Sequence, residues 1–112
     1  MRKFYHKKLI RDKIPKFIEA YKGKYKVRVM DEDELKMELK KKLIEEAKEV
    51  KGAKKDELLK ELADVLGLIK SIAESENIGF ELIEKKQKQR RKERGGFKKR
   101  LFLIWSDRPA GE

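Results

Sequence analysis

The sequence predicts a mainly α fold, an antiparallel helical bundle with a minor two-stranded β element. Two long segments, from about Asp31 to Lys51 and from about Lys54 to Glu76, carry apolar residues at helical spacing and are separated by a break at Gly52. Two short stretches, KYKVRVM (24–30) and KKRLFLIWSD (98–107), alternate or are rich in aromatic and aliphatic residues, as strands are. At 112 residues with 38% hydrophobic, the chain is long enough for one core and too short for two independent ones, so a single domain over 1–112 is expected.

In chain order, the first helix falls at about 13–21. Asp12 is placed to cap it, Pro15 suits its first turn, Phe17, Ile18 and Tyr21 follow at helical spacing, and Gly23 ends it. The first strand then sets Tyr25, Val27 and Val29 on one side and Lys24, Lys26 and Arg28 on the other. Asp31 followed three residues later by Glu34 is a capping-box pattern that opens the first long helix. The second long helix carries a wide apolar face of Leu58, Leu62, Val65, Leu66, Ile69, Ile72 and Ala73, and Asn77 and Gly79 stop it. A further helix, about Phe80 to Glu93, turns strongly basic and is stopped by Gly95-Gly96. The second strand is the economical partner for the first, and residues 106–112, with Pro109 and Gly111, form a loose tail. One chain covers the apolar face of residues 58–73 only thinly, so a homodimer is expected to complete the core.

Composition narrows the chemistry. The chain has no Cys, which excludes a disulfide framework, a thiolate metal site and a cysteine nucleophile, and His6 as sole imidazole leaves little for structural zinc. Charged residues make up 47%, Thr is absent, Asn occurs once and Gln twice, a profile expected of a thermophilic source. A net charge of +11 and a pI near 9.8 favour anionic partners such as nucleotides, nucleic acid or an anionic membrane surface. The N-terminus has no secretory apolar stretch, and no segment approaches the ~20 apolar residues of a membrane span, so a cytoplasmic protein without membrane association is expected.

The chemistry-bearing pattern is acidic. At about 100° per residue, Glu46 falls on the stripe of Leu35, Leu39, Leu43 and Val50, where a buried side chain belongs. In the next helix Glu61 projects between Leu68 and Ile72 in the same way. Each has a second carboxylate three residues on, Glu49 and Asp64, and residues at i and i+3 share a face. Two antiparallel helices joined by a short turn would bring E46xxE49 and E61xxD64 together. Four converging carboxylates repel one another and require positive charge. Lys42 or Lys60 would give salt bridges, whereas an all-oxygen ligand set suits Mg²⁺ or Mn²⁺, so Glu46, Glu49, Glu61 and Asp64 are read as a magnesium site. Glu45 lies on the outward side of the same turn, either as a solvated carboxylate paired with Lys41 or Lys48 or in support of the metal or its water.

KLIRDKIP (8–15), the EExxE of Glu45, Glu46 and Glu49, ELADVL (61–66) and RKERGGFKKRLFL (91–103) together resemble the small MazG-type nucleoside triphosphate pyrophosphohydrolases. These belong to the all-α pyrophosphatase superfamily that also holds phosphoribosyl-ATP pyrophosphohydrolase. The resemblance implies hydrolysis of a nucleoside triphosphate, often a non-standard one in a house-cleaning role, between its α and β phosphates to a monophosphate and pyrophosphate. It implies Mg²⁺ on Glu46, Glu49, Glu61 and Asp64, a proton acceptor at Glu45 or Glu49, and a homodimer. Lys8, Arg11 and Lys13, which flank Asp12 near the start of the first helix, are candidate phosphate-binding groups; the plainer role for Arg11 and Asp12 is a surface ion pair and cap. Arg91 and Arg94, ahead of glycines that let backbone approach a ligand, are further candidates, or complement the macrodipole at a helix end. Phe97, Phe102 and Trp105 are taken as core or interface residues.

Two departures and one rival complete the reading. The segment ADVLGLIKSIA has no His, unlike the corresponding stretch of phosphoribosyl-ATP pyrophosphohydrolases, which lowers the histidine-biosynthesis alternative. The two apparent strands are additions to a purely helical core. The rival class is a non-enzymatic nucleic-acid-binding protein, on the ten basic residues against one acidic residue between Lys85 and Arg100. No recognised nucleic-acid-binding signature accompanies that charge, and such a protein has no use for carboxylates on apolar faces. A helical protein that has lost activity would leave the acidic cluster without metal.

Overall fold

The computed structural model describes residues 2–111; Met1 and Glu112, the ends of the expected domain and tail, lie outside the described residues. Four helices follow one another: α1 (Ile14–Ala20), α2 (Glu32–Gly52), α3 (Lys55–Ser75) and α4 (Phe80–Arg94). The chain clusters into two compact units that divide between Asn77 and Ile78. The first holds α1, α2 and α3, and the second α4 with the C-terminal segment. No helix among the described residues is long and apolar enough to cross a membrane.

In the first unit α2 and α3 pack on each other as a helical hairpin. Each has 21 residues, and only Ala53 and Lys54 connect them, so residues equidistant from the turn lie side by side. Leu39 and Leu68 are such a pair, and with Ala73 they are the buried residues among those described. Leu43, Val50, Val65 and Ile72 are half-buried around them. The seam predicted on α2 is therefore the one that packs, whereas Leu62 and Leu66 of the wide apolar face predicted on α3 stay exposed.

The helix ends follow local chemistry. The Asp31 carboxylate accepts the Glu34 amide at 2.8 Å and so caps α2. Glu34 does not complete the reciprocal half of a capping box. Its carboxylate instead accepts both Nη atoms of Arg28, at 2.7 and 2.6 Å, and this bidentate contact holds the Glu34 carboxyl below its usual range. At the end of α1 the Gly23 amide donates to Ile18 O at 2.8 Å and the Lys22 amide to Glu19 O at 2.9 Å, a Schellman arrangement. Lys22, at φ 57°, carries the left-handed conformation that glycine usually supplies. Gly23 is needed for a different reason: a Cβ there would lie 2.7 Å from Ile18 Cγ2. Asn77, at φ 56°, turns the chain after α3.

Two sequence expectations are corrected. Asp12 does not cap α1: the N-cap is Lys13, without a side-chain cap bond, because the Ile14 amide is already taken by Arg11 O at 3.1 Å in a preceding turn. The two-stranded β element is absent among the described residues, and both 24–30 and 98–107 lack strand structure. Alternation makes a strand only where a partner backbone supplies the ladder. Without one, Val29 is 96% exposed and Phe102 90% exposed.

Asp31→Ala should lower the unfolding free energy by about 1 kcal/mol, with Asp31→Ser keeping most of the cap. Thermal or urea unfolding followed by helical circular dichroism checks it, and an unchanged midpoint for Asp31→Ala would contradict the capping role.

Candidate metal centre

The hairpin register decides which carboxylates meet. Glu46 and Glu61 are equidistant from the Ala53–Lys54 turn, and Asp64 is one helical turn further along α3. Glu46, Glu61 and Asp64 offer carboxylate oxygens that all lie within 4.8 Å of one another. Glu49 is not brought into this group: it lies exposed one turn nearer the connection, where the residue equidistant across the hairpin is Leu58. Glu61 is the most enclosed of the three, its side chain 12% exposed against 25% for Asp64.

Cations from two directions answer this charge. Lys60 donates to Glu61 Oε1 at 3.3 Å and stands 3.9 Å from Asp64 Oδ2. Arg11, from the segment ahead of α1, donates through Nη2 to Asp64 Oδ1 at 3.0 Å. The Lys60 ammonium is pushed up by its hydrogen bond to Glu61 and by the fields of Glu61 and Asp64. Among the described residues Glu46 has no such partner. Desolvation is the main cause that raises its carboxyl above the usual range, Asp64 adds to it, and Lys42 opposes it.

This donor set could hold a divalent cation. Three hard oxygen donors without His or Cys suit Mg²⁺ or Mn²⁺. Bonds of ~2.0–2.1 Å place octahedral ligands about 3 Å apart when adjacent and about 4.2 Å when opposite, so the observed oxygens need only a small approach. Arg11 and Lys60 hold part of the charge and are the groups that a bound cation would displace.

The other candidates divide by place. Glu45 is exposed and lines a cavity with Lys7, Lys8, Leu9, Glu38, Lys41 and Lys42. Lys8 is thus on that cavity's wall, while Asp12 and Lys13 are exposed at the start of α1, a helix of only seven residues. Arg91 and Arg94 belong to the second unit, where the Arg91 guanidinium packs against Gly96 and would lie 3.3 Å from a Cβ there. Gly95, at φ 86°, ends α4, and its amide donates to Arg91 O at 2.8 Å. Phe97 and Trp105, expected to be core or interface residues, are 96% and 80% exposed. Sequence reasoning missed the Arg11–Asp64 pair, which joins residues 53 positions apart and has no local signal. Comparison with family models, curated proteins and solved structures gave no match to this chain.

The raised Glu46 carboxyl fixes the sign of a stability effect. A carboxyl whose folded-state pKa is raised destabilises the fold when ionised, so stability falls as pH rises through that range. Glu46→Gln should therefore raise the melting temperature of the metal-free protein near neutral pH. The same substitution should abolish the gain given by Mg²⁺ or Mn²⁺, about 2.7 kcal/mol in wild type at a hundredfold excess over Kd. Arg11→Gln should cost about 0.2–1 kcal/mol in chelator. Melting curves with chelator and with metal test all three, and an unchanged metal response in Glu46→Gln would remove Glu46 from the site.

Proposed function

We propose that this chain is a Mg²⁺-dependent nucleoside triphosphate pyrophosphohydrolase of the MazG-like, all-α type, acting as a homodimer on non-standard nucleotides. The observation that carries the reading is the convergence of Glu46, Glu61 and Asp64 across the α2–α3 hairpin, from the motifs that carry the family resemblance. Mainly helical structure agrees with it. A bound divalent ion would neutralise polyphosphate charge, polarise the attacked phosphoryl group and acidify the attacking water.

The chain's own residues then have distinct tasks. Glu46, Glu61 and Asp64 hold the ion, with Glu49 available one turn along α2. The proton of the attacking water passes to Glu45 or Glu49, which flank Glu46 on α2. The α–β anhydride bond breaks, the nucleoside keeps the α phosphate with the water's oxygen, and pyrophosphate leaves. Arg11 and Lys60, once displaced from Asp64 and Glu61, are cations positioned to meet phosphate oxygens. Lys13 is a further candidate for the same contact, and Arg91 and Arg94 are candidates for binding phosphate within the second unit.

Exposed apolar side chains support the dimer. Leu59, Leu62 and Leu66 form one stripe of α3, 81%, 50% and 45% exposed, and Met37 and Ile44 on α2 are 63% and 60% exposed. Full burial of such a side chain contributes about 1.5–3 kcal/mol. Counted on both copies of a symmetric pair, these residues suffice to offset an association cost of roughly 4–15 kcal/mol.

Incubation with standard and non-standard nucleoside triphosphates should release monophosphate and pyrophosphate with Mg²⁺ and none with chelator. Glu61→Gln and Asp64→Asn should abolish release, and Glu45→Gln and Glu49→Gln should separate the proton acceptor by a loss of roughly 10²–10⁴ in kcat. Absence of turnover on every nucleotide, including phosphoribosyl-ATP, in folded metal-loaded protein would sink the enzymatic reading. Sedimentation should give twice the 13.3 kDa chain mass, and a monomer at micromolar concentration would refute the dimer.

A further inference from the structure

From the cavity between residues 7–9 and α2 we infer a second, metal-independent subsite, which binds the inorganic polyphosphate part of the substrate and the pyrophosphate product. The inference rests on the pyrophosphohydrolase reading for the name of its ligand, and on the cavity for its place. Lys7, Lys8, Leu9, Glu38, Lys41, Lys42 and Glu45 enclose about 170 Å³. That is below the ~300–1,000 Å³ that takes a drug-sized ligand, so the space suits phosphate groups and not a nucleoside.

Charge identifies the ligand class. Four lysines and two glutamates line the cavity, and Glu38 is already engaged by Lys41 at 3.2 Å. Among the described residues Lys7, Lys8 and Lys42 make no ion pair. Like charges gathered in one concavity repel, and a compact multivalent anion is the occupant that relieves them. Leu9 and Ile10 are half-buried, which anchors the segment beside α2, and Lys7 turns ahead of them at φ 47°.

Continuity with the acidic centre gives the cavity its function. Arg11, two residues beyond Leu9, reaches Asp64, and Lys42 on the cavity wall acts electrostatically on Glu46 one turn along α2. Glu45 on the wall is the chain neighbour of Glu46. A polyphosphate seated on Lys7, Lys8, Lys41 and Lys42 would extend toward the carboxylates that hold the metal. The leaving pyrophosphate then has a cationic site of its own.

The test is calorimetric titration of inorganic pyrophosphate into the full chain in chelator at fixed ionic strength, alongside nucleotide hydrolysis with Mg²⁺. Lys8→Gln and Lys42→Gln should each weaken pyrophosphate binding about tenfold or more, whereas Lys85→Gln and Lys88→Gln on α4 should leave it within twofold. Equal losses from both pairs would reduce the effect to the net charge of +11 and overturn the subsite. Undetectable binding, or binding indifferent to Lys8 and Lys42, in a protein that still hydrolyses nucleotides would overturn it too and leave the enzymatic reading standing. Lysine-dependent pyrophosphate binding without turnover would support the subsite and count against that reading alone.

Discussion

Everything chemical in the first unit depends on the register of one helical hairpin. Because α2 and α3 are equally long and their connection is only Ala53 and Lys54, the turn fixes which residues face each other along both helices. The same register that buries Leu39 beside Leu68 sets Glu46 beside Glu61. Packing and site are consequently not separate designs. A seam of leucines holds the helices at a set spacing, and two interruptions of that seam by carboxylates inherit it.

Those interruptions set the electrostatics of the surroundings. Carboxylates that leave water need compensation, and the chain answers with Lys60 from the same helix and Arg11 from a segment outside the hairpin. Compensation is incomplete at Glu46, where desolvation dominates. A site left partly unneutralised in this way has free energy to gain from a cation, while one fully satisfied by lysines and arginines would have little. Further along α2 the balance reverses, and lysines outnumber carboxylates around the cavity beside residues 7–9. Opposite excesses of charge side by side are what the proposed ligand, a metal ion joined to phosphates, would meet.

The helices were legible in the sequence because their signals are local. Asp31, Gly52, Asn77 and Gly95 mark ends that lie within about one residue of those observed, as cap and stop chemistry allows. The convergence of Glu46, Glu61 and Asp64 was legible because periodicity and a short turn suffice to derive it. Glu49 shows the limit of that logic: an i+3 neighbour shares a helix face but not necessarily the point where a second helix passes. Strands at 24–30 and 98–107 were misread because a β ladder is a relation between segments that one segment's alternation cannot guarantee. The Arg11–Asp64 pair and the lysine-lined cavity were hidden for a like reason. In a chain with 32 Lys and Arg, no local feature says which of them an irregular segment will carry to a carboxylate.

The position of the acidic centre along the hairpin bears on which metal it would accept. At a rise of 1.5 Å per residue, Glu46 lies about 9 Å from the end of α2 and Leu39 about 20 Å from it. The carboxylates therefore sit between a covalent tie on one side and the tightest packed contact on the other. A pair of rods fastened on both sides of a point bows little there, so the oxygens can close on a small ion more readily than the helices can part for a large one. At the proposed metal site, stiffness of this kind would discriminate by ionic radius and disfavour Ca²⁺, whose longer bonds and higher coordination number ask for room that the fastened helices would not give.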